Sequence, residues 1–349
     1  MGVKPIKMSA IKEAISNLVE NRDLSQDFMI QVMNEIMEGR ATNAQIGAFL
    51  VALRMKGETI EEIAACAKVM TDKAIKIPIK TSGDEVIIDT CGTGGDGLKT
   101  FNISTASAFV VAGAGVKVAK HGNRSISSRS GSADCLEALG ISLDLSPEQV
   151  AKAIEEIGIG FLFAPNLHPA MKYAIGPRKE IGIRSIFNIL GPLCNPANAN
   201  VQLMGVFSEK LVIPLAHVLS KLNKKRAWVV NGPDGMDELG LSGPSKVAEL
   251  RDDGNVIDFE FDPQSYGFRK REISEIKGGD ATENAKIMMD IFEGKEKGAY
   301  RDAVILNAGA AIYLADKVSD LGEAFNVAKD VIDSGKALLK LNALRGFKG

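Results

Sequence analysis

The first 75 or so residues place apolar side chains at a helical period between polar ones. Ile46, Phe49, Leu50 and Leu53 are spaced by three, one and three residues, so this segment has one apolar face that must pack on something. Capping boxes, in which a Thr precedes a Gln or Glu by three residues, mark helix starts. We predict two such starts, at Thr42 with Gln45 and at Thr59 with Glu62.

After residue 79 the pattern changes to short apolar runs that alternate with helical stretches. The stretch 104–115 is rich in small residues and predicts a helix, and further helices are predicted from about Ser132 and from Ser146-Pro147. Such alternation predicts an α/β fold with a central, mainly parallel sheet. The predicted strands lie in 85–90, 115–122, 159–165, 201–207 and 226–232.

A helical stretch from His168 to Pro196 interrupts this alternation, which suggests that the chain returns there to its first domain. We therefore expect a small all-helical domain over 1–78, completed by about 176–200. The larger α/β domain is expected over 79–175 and 201–349, and its last part is helical from about Asp280.

Composition narrows the functional classes. The formal net charge is −2 and aromatic residues make up 5% of the chain, which argues against a nucleic-acid surface. The chain shows no apolar run long enough to cross a bilayer, so we expect no membrane partner. The four cysteines are widely spaced and form no C-x-x-C pair, which favours reduced thiols and a cytoplasmic location.

Residues 91–105, CGTGGDGLKTFNIST, carry the most specific signal. The G-x-G-x-x-G spacing resembles a dinucleotide loop, but the acidic residue that would bind a ribose is missing from 109–118. A Walker A loop also fails, because Leu98 separates the last glycine from Lys99. A glycine loop between a strand and a helix that begins near Ser104 predicts an anion cradle of backbone N–H groups, although a tight turn is the alternative. Asp96 would repel a bare phosphate, so a phosphorylated sugar or a nearby metal ion fits better.

Two other loops support this hypothesis. Residues 120–134 form a donor-rich, positive loop after a predicted strand, where ligands of parallel sheets bind. Asp237 and Glu238 stand together in a loop rich in Gly and Pro, where both carboxylates could face one Mg²⁺. The similar stretch KGGDATEN at Lys277 is predicted to be structural, because Asp280 and Glu283 form a helix cap.

Taken in order, the stretches GTGGD, FNIST, KHGNR, SGSAD, HPAMK, GIRSIFNILGPLCNPAN and MDEL resemble the anthranilate phosphoribosyltransferase family. The resemblance covers nearly the whole chain; Lys99 and Cys194 are small departures from it. It implies a fold like that of nucleoside phosphorylases and a homodimer joined through the helical domain. It also implies transfer of phosphoribose from phosphoribosyl pyrophosphate (PRPP) to the amine of anthranilate, with Mg²⁺ present and pyrophosphate released.

The resemblance also implies a set of site residues. For anthranilate they are Gly92, His121, Asn123 and Arg178, and for magnesium Ser104, Asp237 and Glu238. For PRPP they are Gly92, Thr93, Gly94, Gly95, Asp96, Asn102, Ser104, Thr105, Lys120 and Ser132.

No general base is assigned, because an aromatic amine is largely unprotonated at neutral pH. The reaction requires stabilisation of the leaving pyrophosphate and positioning of the two substrates. The nearest alternative is a pyrimidine nucleoside phosphorylase of the same fold, against which the acidic pair Asp237 and Glu238 argues. A nucleic-acid-binding relative of the fold and an NAD-dependent oxidoreductase are weaker alternatives.

Overall fold

The computed structural model describes residues 9–80, 83, 85–125 and 129–349. Residues 126–128 of the donor-rich loop lie outside the described part, as do 81, 82 and 84. The chain forms two compact units. One contains the described residues up to Ile75 together with His168–Cys194, and the other contains Lys76–Leu167 and Asn195–Gly349.

The smaller unit is helical, and its helix starts follow from local sequence. Both predicted capping boxes are confirmed, with each Thr hydroxyl and the partner Gln or Glu side chain accepting N–H groups from the other's backbone. Phe49, Leu50 and Leu53 are buried, as their spacing predicts. Numbered in chain order, its helices are α1 (Ala10–Val19), α2 (Gln26–Met37), α3 (Asn43–Lys56), α4 (Ile60–Lys73), α9 (Lys172–Ile181) and α10 (Phe187–Leu193).

The return of the chain to the helical unit spans His168–Cys194, whereas the sequence analysis places it at about 176–200. The earlier start has a local reason, because α9 begins at Lys172 and packs on α3.

The larger unit is built on a seven-stranded sheet with the order β3-β2-β1-β4-β5-β6-β7. The five predicted strands are confirmed as the parallel part of this sheet. The strands β6 and β7 were not predicted; they form an antiparallel hairpin at one edge of the sheet and carry many polar residues. The strands are β1 (Ile87–Gly92), β2 (Lys117–Gly122), β3 (Ile159–Phe163), β4 (Val201–Gly205), β5 (Arg226–Asn231), β6 (Ser245–Leu250) and β7 (Val256–Phe261).

Helices complete the α/β unit. The predicted small-residue helix is confirmed as α5, most of whose residues are buried against α13 and α15. Small residues also let the helix Leu321–Asp333 approach α5 closely, because a Cβ at Gly113 would collide with Val331. The helices are α5 (Ile103–Gly113), α6 (Ser132–Ala138), α7 (Pro147–Glu156), α8 (Ala164–Leu167), α11 (Val212–Lys221), α12 (Ala281–Phe292), α13 (Ala299–Leu314), α14 (Leu321–Asp333) and α15 (Lys336–Gly346).

Candidate active site

The candidate site lies at the carboxyl ends of the parallel strands. After β1 the chain builds β2 and β3 on one side, and it then crosses to build β4 and β5 on the other. Ligands of open α/β sheets bind in the crevice at such a switch point. The glycine loop follows β1 at this point, Lys120 lies near the carboxyl end of β2, and the loop with Asp237 follows β5.

The glycine loop requires glycine at several positions for two different reasons. Gly94, Gly95 and Gly97 have φ values of 67°, 76° and 81°, a backbone region that residues with a Cβ rarely adopt. Gly92 instead makes room, because a Cβ there would collide with the Asp237 carboxylate. The Gly94 N–H donates to Asp237 Oδ2 at 2.6 Å, so part of the N–H cradle already faces an acidic side chain.

Three carboxylates meet beside this loop. Asp96, Asp237 and Glu238 each offer an oxygen within 4.8 Å of the others. Asp96 Oδ2 and Glu238 Oε2 are buried and have no hydrogen-bond partner among the described residues. From the sequence, Asp96 is expected to contact PRPP or to face a metal ion; the structure brings it to the acidic pair.

Burial and mutual repulsion act on the protonation of this acidic cluster. Burial, followed by repulsion from Asp96, raises the pKa of Asp237. Burial, followed by repulsion from Asp237 and Asp96, raises the pKa of Glu238 well above its ordinary range. Buried carboxylates of like charge need a cation to remain ionised together. The donor set is all oxygen, which suits Mg²⁺.

The acidic loop is held in place by residues that the sequence analysis missed. A Cβ at Gly205, the last residue of β4, would collide with the Asp237 carbonyl oxygen. On the other side, Asn307 of α13 accepts from the Leu239 N–H and donates to the Leu239 carbonyl, each at 3.0 Å. Neither Gly205 nor Asn307 belongs to a sequence motif, because each contacts a residue of the acidic loop that is far away in the chain.

The ammonium group of Lys120 lies between the end of β1 and the start of α5. Lys120 is 3% exposed, and its Nζ donates to the Thr90 carbonyl at 2.6 Å and to Ser104 Oγ at 3.3 Å. Burial lowers the pKa of Lys120, and the Asp89 carboxylate opposes that shift. Asp89 is itself buried and accepts from the His121 N–H and from Asn195 Nδ2. An ammonium ion held here suits an anionic ligand; Asp89 had no sequence signal, since it lies within an apolar strand.

The helix after the glycine loop presents its first turn to the same region. The Asn102 side chain does not cap α5 and bonds elsewhere, so the first N–H groups of α5 keep no side-chain acceptor from their N-cap. Thr105 is 1% exposed, and its hydroxyl has no partner among the described residues. The Ile103 N–H donates to the Phe101 carbonyl at 2.7 Å, so the N–H groups of Ser104 and Thr105 are the ones that, with the hydroxyls beside them, are suited to a phosphate.

The second loop is less positive than its sequence suggests. Arg124 pairs with Asp134 at 3.0 Å and with Glu137 at 2.8 Å, so its charge is balanced within the protein. Asn123 and Ser132 pack together, since Ser132 Oγ donates to the Asn123 carbonyl at 3.3 Å. Polar hydrogen-bonding groups, more than net charge, therefore distinguish the described part of this loop.

Comparison with known protein families covers both units. Residues 84–338 match the model of the glycosyl transferase family, a/b domain, and residues 12–74 match the helical bundle domain of the same family. The chain is 55% identical over 337 residues to the anthranilate phosphoribosyltransferase of Acetivibrio thermocellus, covering 97% of this chain and 96% of the relative. It is 52% identical to that of Persephonella marina, covering 97% and 98%.

The chain belongs to the anthranilate phosphoribosyltransferase family. Solved structures of the family share its fold. The enzyme of Thermus thermophilus superposes with a TM-score of 0.90 at 42% identity, over 97% of this chain and 99% of that one. The Saccharomyces cerevisiae enzyme in complex with PRPP and Mg superposes with a TM-score of 0.89 at 26% identity, over 97% of each chain.

Arg178 lies on α9 of the helical unit. Its guanidinium stacks over the Phe187 ring at 5.2 Å, and burial lowers its pKa. No carboxylate among the described residues contributes to that shift. A half-buried arginine beside an aromatic ring is suited to bind an aromatic carboxylate.

None of the described helices combines the length and the apolar character that a membrane crossing needs.

Proposed function

We propose that this chain transfers the 5-phosphoribosyl group from PRPP to the amine of anthranilate, giving N-(5-phosphoribosyl)anthranilate and pyrophosphate in tryptophan biosynthesis. Membership of the family supports this reaction. The observation that carries the proposal is the three-carboxylate cluster beside the glycine loop, since a phosphorolytic enzyme needs no cation at its leaving group.

PRPP is assigned to the glycine loop and the start of α5. The glycine loop would line one side of the sugar and the phosphates, with Gly92, Thr93, Gly94, Gly95 and Asp96. The leaving pyrophosphate gains negative charge as the bond to the anomeric carbon breaks, and fixed donors lower that barrier because they need not reorganise. Lys120 and the first-turn N–H groups of α5 are such donors. The other assigned contacts are those of Asn102, Ser104, Thr105 and Ser132.

The cofactor is proposed to be Mg²⁺, held by Asp237 and Glu238 with Ser104, and we now add Asp96. The unpartnered buried oxygens of Asp96 and Glu238 fit a divalent cation. Such an ion would neutralise charge on the departing pyrophosphate.

Anthranilate is assigned to Gly92, His121, Asn123 and Arg178. Arg178 would hold the carboxylate through two parallel hydrogen bonds, which orients the amine. His121 shapes the pocket, because its backbone N–H is fixed by the buried Asp89 carboxylate. The amine is already unprotonated at neutral pH, so the residues supply orientation and no strong base.

We further propose a homodimer that is joined through the helical unit. Of the exposed large apolar side chains in the described residues, five belong to this smaller unit, and Met55 is 83% exposed. Burial of such groups favours association. A cytoplasmic location is also proposed, since the four cysteines are buried free thiols. The five side chains are Val19, Met55, Ile75, Ile175 and Ile183.

The first test is a fluorescence assay. Purified protein is mixed with anthranilate, PRPP and Mg²⁺, and the loss of anthranilate emission is followed with and without EDTA. We expect a loss that requires both PRPP and Mg²⁺. If the protein binds PRPP but consumes no anthranilate, the assignment of anthranilate as the acceptor is wrong. If it binds no PRPP, the assignment of phosphoribosyl transfer is wrong.

The assignment of anthranilate to Arg178 has its own test. Arg178→Ala should raise the KM for anthranilate by about 10- to 100-fold, because a hydrogen-bonded charge pair is lost. The KM for PRPP should stay within about twofold. Lys179→Ala, an exposed neighbour on α9, is the matched control. A rise in the PRPP KM alone would show that the two substrate sites are assigned wrongly.

A further inference from the structure

The segment from Lys277 to Asn284 does more than start a helix. As predicted, Asp280 caps α12 by accepting from the Thr282 and Glu283 N–H groups at 2.9 Å. The segment also runs along the exit of the glycine loop. Lys277 pairs with Thr100 in an isolated antiparallel bridge, and the Gly278 N–H donates to the Lys99 carbonyl at 2.8 Å. The backbone just before Asn102 is therefore fixed by this segment.

Asn284 ends the segment and contacts Asn102 directly. It is 2% exposed, and its Nδ2 donates to Asn102 Oδ1 at 2.9 Å. Its own Oδ1 accepts from the Gly279 N–H at 2.8 Å. Because the Gly279 N–H requires an oxygen, the amide of Asn284 has only one favourable orientation, with its NH₂ group toward Asn102.

The orientation of Asn102 follows from this contact. Asn102 Oδ1 accepts from Asn284 and also from Ser130 Oγ at 3.3 Å, which places its NH₂ group on the opposite side. One N–H of that group donates to the Ser130 carbonyl at 3.3 Å. An amide has two N–H donors, and the contact with Ser130 uses one of them, so we assign the second to phosphoribose.

The close approach is possible because residue 278 is glycine. A Cβ there would lie 2.6 Å from Asn284 Oδ1. It would also lie 2.7 Å from the Cα of Phe101, the residue that precedes Asn102. Both distances are shorter than a packed carbon atom tolerates, so any side chain at 278 would separate the segment from the loop.

We propose that Asn284 is a positioning residue of the PRPP site, which acts through Asn102 and does not touch the substrate. The inference rests on the proposed function, in which Asn102 contacts PRPP. A preset amide avoids the cost of ordering that side chain when PRPP binds. Loss of the contact between Asn284 and Asn102 should therefore raise the KM for PRPP and leave the KM for anthranilate unchanged.

The test is Asn284→Asp. Aspartate keeps the shape and the acceptor for the Gly279 N–H, but it turns a carboxylate oxygen toward Asn102 Oδ1. A negative charge in the first turns of α12 is compatible with its helix dipole. We expect the KM for PRPP to rise about tenfold, with kcat and the KM for anthranilate within about twofold.

Asn200→Asp is the matched control. Asn200 also holds backbone with its amide, accepting from the Ile87 N–H at 2.9 Å and donating to the Glu85 carbonyl at 3.0 Å. It lies at the amino end of β1, away from the strand ends that carry the site. Its variant should leave the PRPP KM within about twofold, whatever it does to stability.

A double-mutant cycle separates positioning from general stability. In an Asn102→Ala background, Asn284→Asp should raise the PRPP KM no further, because the residue it acts through is gone. An unchanged PRPP KM in Asn284→Asp, or additive effects in the double variant, would overturn the inference. If Asn284→Asp does not fold, Asn284→Ala carries the same test. A parent protein that binds no PRPP would overturn the proposed function itself, and the inference with it.

Discussion

At the scale of single residues, the site depends on charges that the fold holds at a cost. Asp237 and Glu238 are buried beside Asp96, and burial raises the pKa of the first two. Because each folded-state pKa lies above its unfolded value, ionisation of these groups reduces stability as the pH rises from the unfolded pKa. The same arrangement suits the binding of a cation, which we propose to be Mg²⁺.

The variant Asp237→Asn with Glu238→Gln should separate these two effects. Transfer should fall by at least about 100-fold, because the cation site is lost. Without Mg²⁺ the variant should be more stable than the parent at pH 8 by about 1–3 kcal/mol, and the difference should shrink toward pH 4. Urea unfolding at several pH values measures this. Near-normal transfer in the double variant would remove the metal assignment.

Gly205 shows how a residue outside the site controls its geometry. Gly205→Ala should cost about 1–3 kcal/mol, because the new Cβ would collide with the Asp237 carbonyl. It should also weaken the stabilisation by Mg²⁺ with PRPP in thermal unfolding. Gly191→Ala is the control, since an added Cβ there has no heavy atom within 4 Å. An unchanged response to the ligands would mean that Asp237 does not depend on this contact.

At the scale of elements, helix starts are set by local chemistry. Thr59 accepts from the Glu62 N–H at 3.2 Å, and Glu62 accepts in return from the Thr59 N–H at 2.8 Å. Glu62 also accepts from the Leu24 N–H and pairs with Lys56. The capping box of α4 therefore also connects the start of this helix to Leu24 and to Lys56 at the end of α3.

Thr59→Ala should lower the free energy of unfolding by about 1 kcal/mol, because an N–H at the start of α4 loses its acceptor. Thr59→Ser keeps the hydroxyl and should retain most of the stability. Urea unfolding with an unchanged m value is the measurement. A Ser variant as unstable as the Ala variant would show that the methyl group of Thr59, and not its cap, is responsible.

At the scale of the whole molecule, the helical unit is built from two distant stretches of the chain. It exposes several large apolar side chains, which we assign to a homodimer interface. The α/β unit carries the strand ends on which the glycine loop, Lys120 and the acidic cluster lie.

The oligomeric state gives a prediction at this scale. Light scattering should find a particle of about twice the 37.2 kDa chain mass for the parent. Met55→Glu should shift it toward the monomer, because a charge would be buried in the interface. Leu339→Glu, at a side chain that is 66% exposed on α15, should leave the dimer intact. A dimer that persists with Met55→Glu would place the interface elsewhere.

Elements with local causes could be predicted from the amino-acid sequence. Helical periodicity and capping boxes predict α3 and α4, and apolar runs predict the five parallel strands. The glycine loop and the acidic pair could be recognised because their residues are neighbours in the chain. The hairpin of β6 and β7 was not predicted, since charged residues interrupt the apolar ones in both of its strands.

Contacts between residues that are distant in the chain could not be predicted and became visible in the folded protein. Sheet order and parallel register bring Asp96 to Glu238 and allow Asp237 to pack against Gly205. The bridge between Thr100 and Lys277 brings Asn284 to Asn102. Such contacts leave no periodic or local signal, because each depends on the relative position of segments far apart in the chain. The identity of the chemical groups was therefore encoded locally, while their geometry was a property of the folded sheet.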